Sequence, residues 1–347
     1  SPSSSSLTGM ITVTGFIPYG RGLLLFTLLD ALMKLSAFSV CLNSPHPWPQ
    51  TMSKITDAVI LAGGRGTRML PASLYTPKEA LPLVDTPILN HVIWEACRAG
   101  VDRIHIVLSA RKKELLAGAL EQLGPLYGDD VRPDMPRVSL SSHTGDTDLL
   151  IHVQKRPGGV ADAIATTLHA VNGPFLVLLG DNLLIGEHLG PAHSGPEHAS
   201  KACLELVERF AETGLPSAGV LAVPKEELSK YGVVDLEDNL VKSIVEKPNL
   251  ADAPSPYVLC GRYLLPENAV ELLELVPESE HGELQSIALF EHLINHGGFE
   301  AVKLEGYELY DSGDPITWLK SQVDHALRRE DIGAGFLNWL NYRTDQK

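Results

Sequence analysis

"LAGGRGTRMLPASLYTPKEALPLVDTPIL", residues Leu61 to Leu89, is the stretch on which the fold turns. The apolar run before it, "DAVILA" (Asp57–Ala62), reads as a buried strand, and "PILNHVIWEACRAG" after it reads as a helix over Pro87–Ala99. Between them stand Gly63, Gly64 and Gly66, the cations Arg65, Arg68 and Lys78, and the prolines Pro71, Pro77 and Pro82. That is a long, ordered, basic loop at the C-terminal end of a strand, where open α/β sheets bind ligands. Glycines let backbone N–H groups approach phosphate oxygens, and arginines offer forked donors to the same oxygens. The dinucleotide-binding fingerprint does not fit, because its third glycine would fall on Met69 and no tight strand-to-helix turn follows. A purely structural glycine turn stays open on these residues alone.

Outward from the loop, strand-like and helix-like periodicities alternate. "RIHIVLS" (Arg103–Ser109) is a strand, "KKELLAGALEQLG" a helix ending at Gly124, and "LIHVQ" (Leu150–Gln154) a strand. "GGVADAIATTLHAV" is helical and "PFLVLLGD" (Pro174–Asp181) a buried strand. This alternation predicts a parallel sheet covered on both faces. Past Asp181 come a loop (Gly190–Ser200), an amphipathic helix "KACLELVERFAETG" and a strand "SAGVLAVP". "YGVVDLEDNLVKSIVEKP" reads as a hairpin turning at "EDN". Strand "YVLCGRYLLP", helix "GELQSIALFEHLINHGG", the strands "EAVKLE" and "YELYDSGDP" closing the sheet, and a helical tail from Pro315 to about Asn341 complete the pattern. No internal repeat is visible, and the expectation is one mixed α/β domain over residues 52–347.

Residues 1–51 differ in texture. "SPSSSSLTG" is low in complexity, and Asp30 and Lys34 break the apolar run "LLLFTLLDALMKLSAFSV", which is then a poor membrane span. No basic segment precedes Arg21 and no clear cleavage site follows, so a signal peptide is a poor fit. The expectation is a poorly ordered extension, with upstream read-through favoured over a peripheral membrane anchor. The chain of 347 residues carries 28 Lys+Arg against 43 Asp+Glu, a formal charge of −15, which argues against a general nucleic-acid surface. A phosphate-bearing ligand then needs local cations or a divalent metal. The four cysteines (Cys41, Cys97, Cys203, Cys260) are widely spaced, which suggests reduced thiols in a cytoplasmic protein and no structural zinc.

Four later segments carry further chemistry. "QKRPGGVADAI" (Gln154–Ile164) begins with an amide that offers both donor and acceptor, as a pyrimidine edge requires. "LLGDNLL" puts Asp181 at the mouth of the sheet, where a carboxylate is costly to bury unless paired or metal-bound. "YGVV…VEKP" contains Gly232, Glu246 and Lys247, and "ELYDSGDP" sets Asp311 just after a strand, with Asp314 nearby. Taken alone, Gln154 is a strand-end residue and Glu246–Lys247 a solvated pair.

Together, in this order, the five segments resemble the sugar-1-phosphate nucleotidylyltransferases, the nucleotide-sugar pyrophosphorylases. The "MLPAS…PKEALPLVDTPIL" wording is most similar to the bacterial-type UTP–glucose-1-phosphate uridylyltransferases, and the resemblance spans about Ile55 to Trp339. It implies a single Rossmann-like nucleotidyltransferase domain, with a mixed, mostly parallel sheet and helices on both faces. It implies transfer of a nucleotidyl group from a nucleoside triphosphate, UTP first, to a sugar 1-phosphate, glucose 1-phosphate first, with release of pyrophosphate. By the same resemblance Ala62, Gly63, Gly64, Gly66, Thr67, Gln154 and Gly159 bind the nucleotide, and Arg68, Lys78 and Lys247 act in catalysis. Asp181, Gly232, Glu246 and Lys247 bind the sugar, and Asp181 with Asp311 holds Mg²⁺; Asp311 is preferred to Asp314 for its strand-end placement. A cytoplasmic homo-oligomer without nucleic-acid or membrane partners is expected. Three departures leave the substrate open. Ser73-Leu74 stands where those enzymes carry T-K, "QKRPGGVADA" where they read Q-G-x-x-x-G-L-G-H-A, and the segment with Glu283 and Gln285 lacks L-T-D. dTTP or another triphosphate, or a non-catalytic sugar-nucleotide-binding relative, are the alternatives.

Overall fold

Nine strands form the central sheet of a computed structural model that describes residues 54–122, 147–186, 196–275 and 286–346. In chain order the strands are β1 (Asp57–Leu61), β2 (Pro82–Leu83), β3 (Thr86–Pro87), β4 (Arg103–Ser109), β5 (Asp148–Gln154), β6 (Phe175–Leu179) and β7 (Asn182–Ile185). They continue as β8 (Ser217–Ala222), β9 (Gly232–Glu237), β10 (Leu240–Glu246), β11 (Tyr257–Leu265), β12 (Glu300–Lys303) and β13 (Glu308–Asp311). The sheet order is β5-β4-β1-β6-β11-β8-β12-β10-β9. Strands β5, β4, β1, β6, β8, β12 and β9 run one way, and only β11 and β10 run against them. The mostly parallel, mixed sheet expected from the sequence is what forms.

The helices are α1 (Ala72–Tyr75), α2 (Ile88–Arg98), α3 (Ala110–Gln122), α4 (Gly159–Ala165), α5 (Ala202–Thr213), α6 (Ala269–Leu275), α7 (Ser286–His296), α8 (Pro315–Arg328) and α9 (Gly333–Asp345). They cover both faces, and the alternation along β1 shows how. Ala58 and Ile60 pack with Ile88, Val92 and Ile93 of α2 and Leu206 of α5. Val59 and Leu61 pack on the other face with Ile164 of α4 and Phe290 and Leu293 of α7. A strand buried on both faces favours apolar residues throughout, as Ala58–Leu61 show; Asp57, buried at its start, is paired with Arg103 (2.7 Å) and His105 (2.8 Å). Each Val, Leu, Ile or Phe packed on these faces contributes about 1.5–3 kcal/mol by leaving water.

The structure departs from the sequence reading in four places. The strand expected to run to Asp181 ends at Leu179, where the Gly180 amide donates to Leu61 O (2.9 Å), and the chain turns into β7. "YELYD" does not close the sheet: β13 pairs with β7 in a separate two-stranded ribbon, and β12 inserts between β8 and β10. The helix after Gln154 stops at Ala165, with Thr166–Ala170 in turns. The helical tail breaks between Arg328 and Gly333. All described residues belong to one unit, Trp48–Lys347. The expected extension 1–51, the helix end at Gly124, most of the Gly190–Ser200 loop, and Glu283 and Gln285 lie outside the described residues. Among the described residues no helix is long and apolar enough to cross a membrane.

Candidate active site

The C-terminal ends of β1, β4, β5 and β6 open onto the loop that follows β1. Short helical turns at Thr67–Met69, Ala72–Tyr75 and Lys78–Ala80, then the β2–β3 ribbon, hold that loop in shape. Pro71 and Pro77 stand at the heads of two of these turns. The loop doubles back so that Lys78 lies over the glycines, its Nζ 3.8 Å from where a Cβ on Gly64 would stand.

Four of the expected residues converge as two ion pairs. Lys78 Nζ is paired with Asp181, and Arg68 Nη2 lies 2.8 Å from Asp311 Oδ2. Burial disfavours the Lys78 ammonium, but the charges of Asp181, Glu79 and Asp311 outweigh it and raise its pKa. Both pairs meet at Gly313. A Cβ there would stand 2.9 Å from Asp311 Oδ1, 3.0 Å from Arg68 Nη2 and 3.2 Å from Asp181 Oδ2, so a side chain at 313 would displace the tips of both pairs. Asp314 is engaged elsewhere: it caps α8, accepting from the Ile316 and Thr317 amides.

Gly63, Gly64, Thr67, Lys78 and Gln154 line one cavity of about 530 Å³, together with Arg65, Arg111, Lys112, Lys155 and Arg156. Among the described residues no carboxylate lines it, in a chain of net charge −15. That concentration of cations suits a polyphosphate. Ala62 takes a different position, with its N–H donated to Val107 O and its carbonyl accepting from Lys112 Nζ (2.8 Å). Gly66 has φ 68°, a left-handed conformation that favours glycine, at the turn before Thr67. Gly159 gives its carbonyl to Gln154 Nε2 (3.2 Å).

Gly232 and Glu246 are cross-strand partners in the β9–β10 hairpin. Lys247 follows with φ 44°, its N–H donated to Tyr231 O (3.0 Å) and its ammonium 3.5 Å from Glu246. Tyr231 in turn lines a second cavity, of about 660 Å³, with Arg68 and Asp311. The hairpin that carries the expected sugar residues thus starts beside the Arg68–Asp311 pair.

Several residues at or beneath the site escaped the sequence reading. Arg111 donates to the carbonyls of Ser73 and Leu74, which sets a guanidinium beside Ser73-Leu74, the pair that stands in place of T-K. Its signal was "ARKK" directly after strand β4. Lys112 is buried and bonds both oxygens of Glu79 (2.8 and 2.7 Å) as well as Ala62 O, tying the strand end to the turn that carries Lys78. Arg262, fully buried on β11, makes a bidentate pair with Glu95 of α2 (2.8 Å each) and donates to Asn182 O (2.8 Å) and Leu179 O (3.4 Å). Those two carbonyls flank Asp181. No local pattern announces a pair separated by 167 residues.

A mixed sheet with a cation-lined loop at its strand ends and two carboxylates facing them suits a phosphate-bearing ligand. The nucleotidyl transferase family model matches residues 57–324. The chain is 31% identical over 295 residues to the UTP–glucose-1-phosphate uridylyltransferase of Streptococcus pneumoniae, covering 83% of this chain and 96% of that one. It is 30% identical over 288 residues to UTP–glucose-1-phosphate uridylyltransferase 2 of Streptococcus pyogenes, covering 81% and 93%. Among solved structures, a UDP-glucose pyrophosphorylase from Acinetobacter baumannii matches with TM-score 0.67 at 25% identity, covering 83% of this chain and 99% of that one. A UDP-glucose pyrophosphorylase complexed with UDP-glucose matches with TM-score 0.67 at 26% identity, covering 79% and 100%. The chain therefore belongs to the nucleotidyl transferase family, and it is an enzyme of nucleotidyl transfer to a sugar 1-phosphate.

Proposed function

We propose that the enzyme transfers the uridylyl group of UTP to glucose 1-phosphate. A phosphate oxygen of the sugar 1-phosphate attacks the α-phosphorus, the bond from that phosphorus to the β-bridging oxygen breaks, and pyrophosphate leaves with the electron pair. The attacking phosphate is already anionic, so no general base and no protein nucleophile are needed. Positioning and neutralisation of charge carry the rate. Gly63, Gly64, Gly66 and Thr67 would present the loop backbone to the triphosphate, Arg68 would hold the departing pyrophosphate, and Lys78 the α-phosphate. Gln154 and Gly159 would read the base. Gly232, Glu246 and Lys247 would hold the sugar and its phosphate. The observation that carries this reading is the pairing of Lys78 with Asp181 and Arg68 with Asp311 around one point, beside a cavity lined by cations.

Asp181 and Asp311 would hold Mg²⁺. Their donor set is two carboxylates, with no group of three His, Cys, Asp or Glu able to hold a metal among the described residues. Such a set fits a hard cation that takes its remaining oxygens from substrate and water. When bound, Mg²⁺ would neutralise charge on the phosphates. Lys78 and Arg68 would then exchange carboxylate partners for phosphate oxygens.

The same proposal includes a cytoplasmic homo-oligomer and a dispensable segment 1–51. Free Cys97, Cys203 and Cys260 and the exposed Ile316, Leu319, Leu337, Trp339 and Tyr342 of the last two helices support the first. Pyrophosphate release over a grid of triphosphates and sugar 1-phosphates, with and without Mg²⁺, tests the reading, with UTP and glucose 1-phosphate expected to be fastest. dTTP is the second reading, favoured by "QKRPGGVADA". A chain that binds these ligands without releasing pyrophosphate would refute the assignment.

A further inference from the structure

We propose that Asp162 is a specificity-determining positioning residue, which fixes the Gln154 amide so that only an acceptor faces the nucleobase. The proposal deepens the uridylyl reading and rests on it in placing a base against Gln154. A glutamine amide has one acceptor end and one donor end of nearly equal shape, so by itself it reads a base edge in either orientation. Here the choice is removed. Gln154 Nε2 donates to Asp162 Oδ2 at 2.7 Å and to Gly159 O at 3.2 Å. Both partners are acceptors, so the NH₂ must lie on that side whichever way the atoms are drawn.

Oε1 is left on the other side, beside Gly63. A Cβ on Gly63 would stand 2.8 Å from it, and both residues line the cation-rich cavity. The device is built into the local backbone. Asp162, on the first turn of α4, folds back over Gly158, where a Cβ would stand 2.6 Å from Asp162 Cγ and 2.8 Å from Oδ2. Only glycine at 158 leaves that space. Asp162 also falls where the related wording carries His, in the segment "QKRPGGVADA". A histidine ring offers a donor or an acceptor according to its tautomer, whereas a carboxylate only accepts.

An acceptor held in the pocket satisfies a base with N–H at the centre of its pairing edge. Uracil and thymine carry N3–H there, and cytosine presents a lone pair at N3. Cytosine would set two acceptors against each other, and a site built to bond one group rejects the analogue that lacks it far more strongly than an apolar pocket can. Asp162→Asn lets the Gln154 amide turn over, because the new side chain both donates and accepts.

The test compares kcat/KM for UTP, dTTP and CTP, with glucose 1-phosphate as acceptor and pyrophosphate release as readout. Asp162→Asn is expected to lower the UTP/CTP ratio by about tenfold or more, as one charge-assisted bond permits. The change should fall in KM, with kcat for UTP within about twofold of wild type. Asp162→Glu, which keeps an acceptor, should retain the preference, and it stands in should Asp162→Asn fail to fold. Gln154→Leu should lose the ratio, and adding Asp162→Asn to it should change nothing more. An unchanged ratio in folded Asp162→Asn, or a further loss in the double variant, overturns the proposal. A wild-type enzyme that prefers dTTP sinks the uridylyl reading but supports the acceptor, since thymine has the same N3–H. One that prefers CTP overturns both.

Discussion

Asp311→Asn should bind UTP more tightly than wild type when no metal is present, and turn over far more slowly when metal is supplied. In the free enzyme Arg68 is held by Asp311 at 2.8 Å, with its side chain 60% exposed and that of Asp311 21% exposed. A pair so exposed is worth about 0.2–1 kcal/mol, so its loss costs the fold little. The Gly313 amide donates to Asp311 Oδ1 at 2.8 Å, a bond that asparagine keeps through its own oxygen. Its NH₂ then faces Arg68, and the guanidinium is released toward phosphate. One negative charge beside the triphosphate also disappears, worth about 0.8 kcal/mol per opposing charge at roughly 5 Å in water. The two effects together come to about 1–2 kcal/mol, or roughly a five- to thirtyfold tighter metal-free Kd. With Mg²⁺ present the sign should reverse, because the variant lacks one of the two carboxylates proposed to hold the metal. Titration calorimetry with UTP in EDTA and again in excess Mg²⁺ reads both. Equal or weaker metal-free binding in a folded variant would refute the idea that substrate and carboxylate compete for Arg68.

Four further outcomes are expected. Arg68→Ala should weaken nucleotide binding and Lys78→Ala should mainly slow turnover, each by about tenfold or more from a lost charge-assisted bond of about 1.5–3 kcal/mol; steady-state kinetics separates them. Arg262→Met should destabilise by about 3–5 kcal/mol by stranding Glu95, while Arg262→Met with Glu95→Leu should regain the thermal midpoint but not the rate, since the Asp181 turn stays unclamped. His325 is pushed down to about 4, first by burial and then by Arg329 and Arg328 against the opposing pull of Asp85. Its folded pKa is below the unfolded value of about 6.5, so the unfolded chain binds more protons between them and about 3 kcal/mol is lost as pH falls through that window; His325→Leu should flatten the fall in melting temperature. A chain beginning at Met52 should keep wild-type solubility, midpoint and kinetics, and an insoluble or inactive product would show that the prefix belongs to the fold.

Local chemistry made the loop legible. Glycines, prolines and cations between an apolar strand and an amphipathic helix carry their meaning in a few residues, and Lys78, Arg68, Asp181 and Asp311 all meet where strand ends were expected. Asp311 was preferred to Asp314 for its strand-end placement, and the structure makes Asp314 the cap of α8. Strand order was not legible. "EAVKLE" has the same pattern whether it lies at an edge or, as found, between β8 and β10, because that choice depends on partners far away in the chain. β13 looked like the sheet's last strand, yet its register with β7 sets Asp311 opposite Asn182, one residue from Asp181. The detached ribbon is what joins the two carboxylates.

The two buried ion pairs beneath the site explain why its parts can carry so much opposing charge and still be held in place. A buried pair adds little net stability, because desolvation of both ions offsets their attraction. Each pair here is instead a tether between segments that local sequence cannot join. Lys112 ties Ala62 at the strand end to Glu79, the neighbour of Lys78. Burial pushes Glu79 up and Lys112 down, and each counters the other's shift. Arg262 ties α2 to the carbonyls on either side of Asp181. Lys78 and Asp181 therefore approach each other from two separately anchored turns. On the proposed function, exchanging that pairing for phosphate would then call for rearrangement of side chains rather than of the backbone.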